Sequence, residues 1–129
     1  MSQIKTDSAF LVLYSDNISK TYDFYFKLGA VIEQIENDKC VVNLCGHSLH
    51  IINSESEPFP EYFSLTLSKS RGQCVLFYFE VDDIVTFMET VKNVGGEVIT
   101  SIKENHWGAI ECLFKDPNGY NLIAYEMIT

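Results

Sequence analysis

Asp16-Asn17-Ile18 leads through an apolar-periodic stretch to Gly29-Ala30-Val31-Ile32, and Asp82-Asp83-Ile84 leads through a similar stretch to Gly95-Gly96-Glu97-Val98-Ile99. The two segments align without a gap, since 82 minus 16 and 95 minus 29 both give 66, about half of the 129 residues. Two copies do not make a solenoid, which needs at least about three stacked units to bury a core. The length suits one domain of the usual size of about 100 to 150 residues, and half of it would be marginal alone. Two modules paired within a single domain, residues 1–129, is therefore the reading, with a ligand cavity where the halves face one another.

Each module is legible from its periodicity. Ala9 to Tyr14 is a short apolar run ended by Ser15-Asp16-Asn17, a strand followed by a helix N-cap. Ile18, Tyr22, Tyr25 and Phe26 recur at helical spacing until Gly29 stops the helix. Val31-Ile32, Cys40 to Leu44 and Ser48 to Ile52 then read as strands separated by Asn37-Asp38 and Gly46-His47. Residues 54–72 contain Pro58 and Pro60 and form a connection, with room for a short strand from Tyr62 to Leu67. The second module opens with a strand from Val75 to Val81, and Ile84, Phe87, Met88, Val91 and Val94 give its helix, ended by Gly95-Gly96. Strands are expected at Glu97 to Ile102, Ala109 to Lys115 and Asn121 to Met127, the last two joined by the turn signal Asp116-Pro117-Asn118-Gly119. The fold class is α+β, built from two βαβββ modules over residues 8–53 and 73–128.

Charge and cysteine usage exclude several partners. The net charge of -9, with Arg71 as the only arginine, repels phosphate backbones and anionic membrane surfaces. No nucleic acid and no membrane is expected. The start Met1-Ser2-Gln3-Ile4-Lys5 lacks the apolar core of a signal peptide, and the apolar runs are too short to span a bilayer, so a cytoplasmic location is expected. There Cys40, Cys45, Cys74 and Cys112 stay reduced; they lack paired CxxC spacing for zinc and are expected to be buried thiols.

The chain resembles the glyoxalase, bleomycin-resistance and extradiol-dioxygenase superfamily, the vicinal oxygen chelate fold, from Ala9 to Glu126. The resemblance rests on the duplicated module, on Asp16 followed by Tyr22-Asp23-Phe24-Tyr25 and Leu28-Gly29, on Glu80-Val81-Asp82-Asp83 before Gly95-Gly96, and on Phe114-Lys115-Asp116-Pro117-Asn118-Gly119-Tyr120-Asn121-Leu122. It implies curled sheets whose convex sides carry the helices and whose concave sides enclose a ligand, and it implies a homodimer. Function varies on this fold, so the site must be argued residue by residue. Family enzymes hold a divalent ion at four strand positions, which map here onto Ala9, His50, Leu76 (or Val75) and Ile123. Three of the four carry no donor atom, so neither a metal nor another cofactor is expected.

Other residues carry the binding reading. His106-Trp107-Gly108-Ala109-Ile110-Glu111 is similar to the Trp-Gly segment of the antibiotic-binding branch, in which the ring covers a planar ligand. An indole offers a broad stacking face and Glu111 a charge for a cationic group; the plain rival is a Trp sealing a barrel edge and a Glu facing water. His50 alternates with Leu49 and Ile51, so it either lines the cavity as a polar handle or sits buried against a carbonyl. Tyr78 and Tyr125, by alternation with Leu76 and Ile123, face the same cavity, whereas Tyr14, Tyr22 and Tyr25 are expected in helix-to-sheet packing. The expectation is a metal-independent binder of an aromatic or cationic small molecule. The alternative is a divalent-metal lyase or dioxygenase using His50 and Glu111 as non-standard ligands.

Overall fold

The structure is a computed structural model that describes Lys5 and residues 8–128. The first residues of the chain, on which the absence of a leader was argued, otherwise lie outside the described residues.

The first module contributes strand β1 (Leu11–Ser15), helix α1 (Ile18–Lys27) and strands β2 (Val31–Ile35), β3 (Lys39–Leu44) and β4 (His47–Asn53). They form one sheet in the order β1-β4-β3-β2, with β1 parallel to β4 and the other pairs antiparallel. The one-turn helix α2 (Pro60–Phe63) follows, flanked by short 3-10 turns. The second module supplies β5 (Phe77–Glu80), helix α3 (Ile84–Asn93), β6 (Glu97–Val98), β7 (Lys103–Glu104), β8 (Ala109–Lys115) and β9 (Asn121–Met127). Its sheet repeats the first as β5-β9-β8-β6, again with a parallel outer pair, and β7 also pairs with β8. Both sheets are curled and neither closes.

The helix ends follow from the sequence. Asn17 caps α1 by accepting from the Lys20 N–H, and Asp83 caps α3 by accepting from the Thr86 N–H. Gly29 and Gly95 take positive φ just beyond the two helices, where a side chain would be strained. The two long helices keep the offset of 66 residues at both ends.

One hydrophobic cluster joins the helix-covered faces of both sheets. Phe24 and Tyr25 of α1, Val42, Leu49 and Ile51 of the first sheet, Val91 of α3 and Phe114 of the second are all essentially inaccessible. Each such side chain contributes about 1.5–3 kcal/mol through burial. The closest approach is at Gly96: a Cβ there would meet Val91 Cγ1 at 2.5 Å and Phe24 Cε1 at 3.1 Å.

Several local expectations are corrected. Residues 62–66 form helical turns, not a strand, because Pro60 opens α2 and fixes helical φ, and Leu67 alone is extended. The strand expected from Glu97 to Ile102 stops at Val98. There the N–H groups of Ile99 and Thr100 both turn to the Leu113 carbonyl, and Thr100 Oγ1 replaces a ladder partner by accepting from the Leu113 N–H at 3.0 Å. Only Cys40 and Cys112 are buried; Cys45 and Cys74 are exposed in turns, both with positive φ. Tyr14 lies opposite Ile52 on the face away from α1 and donates to Glu57 Oε2 at 2.6 Å.

Candidate functional site

Strand alternation sorts the residues of each sheet. Leu49 and Ile51 point to the helices, so His50 points to the open face, opposite Val12 on β1 and Val41 on β3. On the second sheet Phe77 and Phe79 of β5 and Leu122 and Ala124 of β9 fill the core, which leaves Tyr78 and Tyr125 on the open face. Glu111 of β8 is the direct ladder partner of Tyr125 and shares that face.

The loop between β7 and β8 then brings Trp107 over these strands. Its indole centroid lies 5.1 Å from that of Tyr125 and 6.3 Å from that of Tyr78, and the two tyrosine rings are 6.2 Å apart. The three rings are mutually inclined by 52–76°, forming a corner rather than a stack. Tyr78 donates its hydroxyl to Glu111 Oε2 at 3.2 Å. Burial first, and then the Glu111 charge, push the Tyr78 phenol above its ordinary pKa, so it remains a donor. The corner is open: Tyr78 is 41% exposed and Trp107 43%.

Asn105 organises this corner and went unnoticed in the sequence. Its Nδ2 donates to Glu111 Oε1 at 2.8 Å, while its Oδ1 accepts the N–H groups of Trp107 at 3.1 Å and Ala109 at 3.0 Å. Gly108 takes positive φ beside Trp107 and its carbonyl accepts the Ile128 N–H. The available signal was an asparagine two residues before Trp107, the spacing of an Asx turn.

Four of the five expected site residues, Trp107, Glu111, Tyr78 and Tyr125, therefore meet on one face. His50 does not join them. It lies on the first sheet, stacked on Phe10 with centroids 4.0 Å apart and an interplanar angle of 24°. Burial, reinforced by the Lys39 charge and opposed by Glu33, lowers its pKa and favours the neutral imidazole.

The metal positions fare as follows. Phe10, through its stacking on His50, occupies the face that was assigned to Ala9, and Ala9 precedes β1. Leu76 and Ile123 offer no donors, and no three His, Cys, Asp or Glu side chains gather to hold an ion among the described residues. His50 and Glu111 belong to different sheets. The donor set thus does not fit the family's chelated ion. His106 is exposed, and Glu126 is not free at the end of the chain: it accepts the Ile84 N–H at the start of α3 at 2.9 Å.

The Asp116-Pro117-Asn118-Gly119 turn serves cohesion. Tyr25 of α1 donates its hydroxyl to Asp116 Oδ2 at 2.7 Å, and Asn118 Nδ2 donates to Thr21 Oγ1 at 2.8 Å, both out of contact with water. Asp116 Oδ1 also accepts the N–H groups of Asn118 and Tyr120. Burial still outweighs these donors and raises the Asp116 pKa. Between the sheets, Leu11, Leu13, Phe77, Tyr120 and Leu122 line an apolar cleft of about 40 Å³, too small for a metabolite.

A family model described as the Glyoxalase/Bleomycin resistance protein/Dioxygenase superfamily matches residues 8–123. The chain belongs to this superfamily. No curated protein matches it significantly. Among solved structures, a hypothetical protein from S. aureus is 18% identical, with a TM-score of 0.78 over 98% of this chain and 97% of that one. A glyoxalase/bleomycin resistance protein/dioxygenase family enzyme from Burkholderia phytofirmans PsJN is 13% identical, with a TM-score of 0.75 over 92% and 97% of the two chains. The genomically encoded fosfomycin resistance protein FosX from Listeria monocytogenes is 13% identical, with a TM-score of 0.72 over 95% and 94%. At these identities the likeness concerns the fold alone. No helix is long and apolar enough to cross a membrane among the described residues.

Proposed function

We propose that this superfamily member is a metal-independent binder of an aromatic or cationic small molecule, taken up on the open face of its second sheet. The observation that carries the reading is the corner formed by Tyr78, Trp107 and Tyr125 around Glu111. It combines apolar contact area with one charge, whereas three of the four positions at which family enzymes ligate an ion hold no ligating side chain. Binding without transition-state stabilisation needs nothing more.

The working unit in this proposal is a homodimer. The outer strands of both sheets present apolar side chains to solvent, Leu11 and Val12 on β1 and Tyr78 on β5, preceded by Phe10 and by Val75 and Leu76. Such edges invite a second copy, and covering an open face would turn it into a cavity. The four unpaired cysteines and the acidic surface suit the cytoplasm.

Trp107, the only tryptophan, is the reporter. A cationic or planar dye should change its fluorescence saturably, and Trp107→Ala should weaken dye binding, followed by dialysis, by roughly 1–3 kcal/mol. The melting temperature should barely move, because the ring is half exposed. Elemental analysis should find no stoichiometric Ni, Zn, Fe or Mn. One tightly held ion per chain, or a Trp107→Ala variant that loses stability but not binding, would overturn the reading.

A further inference from the structure

We infer that the aromatic corner is selective for a quaternary, fully methylated ammonium, a compact cation without N–H groups, rather than for a flat aromatic ring; this rests on the binding reading above and narrows it. The first argument is shape. A planar ligand is best served by one broad face or by two parallel ones, but Tyr78, Trp107 and Tyr125 are inclined to one another by 52°, 53° and 76°. Their centroids are 5.1, 6.2 and 6.3 Å apart, so one point can lie within the roughly 6 Å reach of a cation–π contact from all three. A rounded cation fits against inclined rings.

The second argument is the state of Glu111. Its Oε1 already accepts from Asn105 Nδ2 and its Oε2 from the Tyr78 hydroxyl. A primary ammonium carries three N–H donors that need acceptors; each Glu111 oxygen has one lone-pair site left, so this corner meets at most two of them. A quaternary ammonium needs no acceptor. It asks only for negative charge nearby and for apolar surface around its methyl groups, which this corner supplies together.

The basic group to be weighed is Lys103, the ladder partner of Glu111 across β7 and β8. It makes no ion pair with Glu111; the pairs found among the described residues are Lys27–Asp23 and Arg71–Asp16. The Glu111 charge is therefore not neutralised by a direct contact, and the net charge of -9 adds a favourable background for a cation.

The test is ligand-observed NMR on the intact chain, titrated with tetramethylammonium, methylammonium, tert-butanol and phenol. Tetramethylammonium should bind about tenfold more tightly than tert-butanol, its neutral counterpart in shape, and more tightly than methylammonium. Tyr78→Leu, Tyr125→Leu and Glu111→Gln should each weaken it about three- to tenfold, with melting curves confirming that the variants fold. Trp107→Phe, which keeps a ring, should retain most of the affinity. Equal binding of tetramethylammonium and tert-butanol, or a preference for methylammonium, overturns the inference. If phenol binds through Trp107 and tetramethylammonium does not, the ammonium class falls while the small-molecule reading stands. If no probe binds and Trp107→Ala is silent toward every dye, both fall.

Discussion

Tyr25→Phe isolates the link between the helix of one module and the turn of the other. The ring is completely buried and its hydroxyl touches only one charged partner, Asp116 Oδ2 at 2.7 Å. Phenylalanine keeps the packing against Phe24 and removes a single donor. Hydrogen bonds to charged groups contribute about 1.5–3 kcal/mol, and the carboxylate oxygen left behind is buried without another side-chain partner. A loss of about 2–3 kcal/mol at neutral pH follows, a large share of a typical stability of about 5–15 kcal/mol. The pH dependence sharpens the test. Burial raises the folded pKa of Asp116 above its ordinary value, so its stabilising contribution is fully present below the unfolded pKa and is lost as pH rises through the folded one. The Tyr25 donor favours the ionised carboxylate, so its removal raises the folded pKa further. The deficit of Tyr25→Phe should therefore be greater at about pH 8 than at about pH 5, because acid moves the orphaned carboxylate toward its neutral form. Urea melts of both proteins at the two pH values measure it. A deficit under about 0.5 kcal/mol, or one that grows toward acid, would refute the reasoning.

Two further outcomes are expected. Gly96→Ala places a Cβ 2.5 Å from Cγ1 of the fully buried, χ1-restricted Val91, so thermal melts should show a loss of about 1–3 kcal/mol, and an unchanged melting temperature would mean that α3 shifts freely. Light scattering at micromolar concentration should report twice the 14.7 kDa chain, and a monomer there would remove the homodimer from the proposal.

The parts of the fold that were legible in the sequence are those set by local signals. Apolar spacing and the glycines at 29 and 95 mark α1 and α3, and alternation puts Tyr78 and Tyr125 on one face, to which the β8–β9 ladder of the structure adds Glu111. The parts that were not legible depend on tertiary partners. A threonine side chain ended β6 by taking over a ladder bond, which no propensity announces. Tyr14 left the helix-covered face because β1 pairs in parallel with β4, opposite Ile52, and because Glu57 offers an acceptor from the connecting segment. Asn105 was invisible as a site residue because its role joins a turn to a strand six residues away.

The point at which the two modules stop matching separates cohesion from recognition. The offset between equivalent elements is 66 residues for both helices, 70 from the start of β3 to that of β8, and 74 from the start of β4 to that of β9. Relative to the first module, the second has therefore gained four residues before β8 and four more before β9. The first gain lies where Asn105, Trp107 and Gly108 build the wall of the aromatic corner. The second includes the Asp116–Gly119 turn, which reaches Thr21 and Tyr25 of α1. One insertion faces solvent and a ligand, and the other closes the core. Substitutions in the two should then separate cleanly, with Tyr25 and Asp116 governing melting and Trp107 and Glu111 governing binding. A duplicated chain in which the two effects could not be separated would need a coupling between these loops along β8, since one enters that strand before Ala109 and the other leaves it after Lys115.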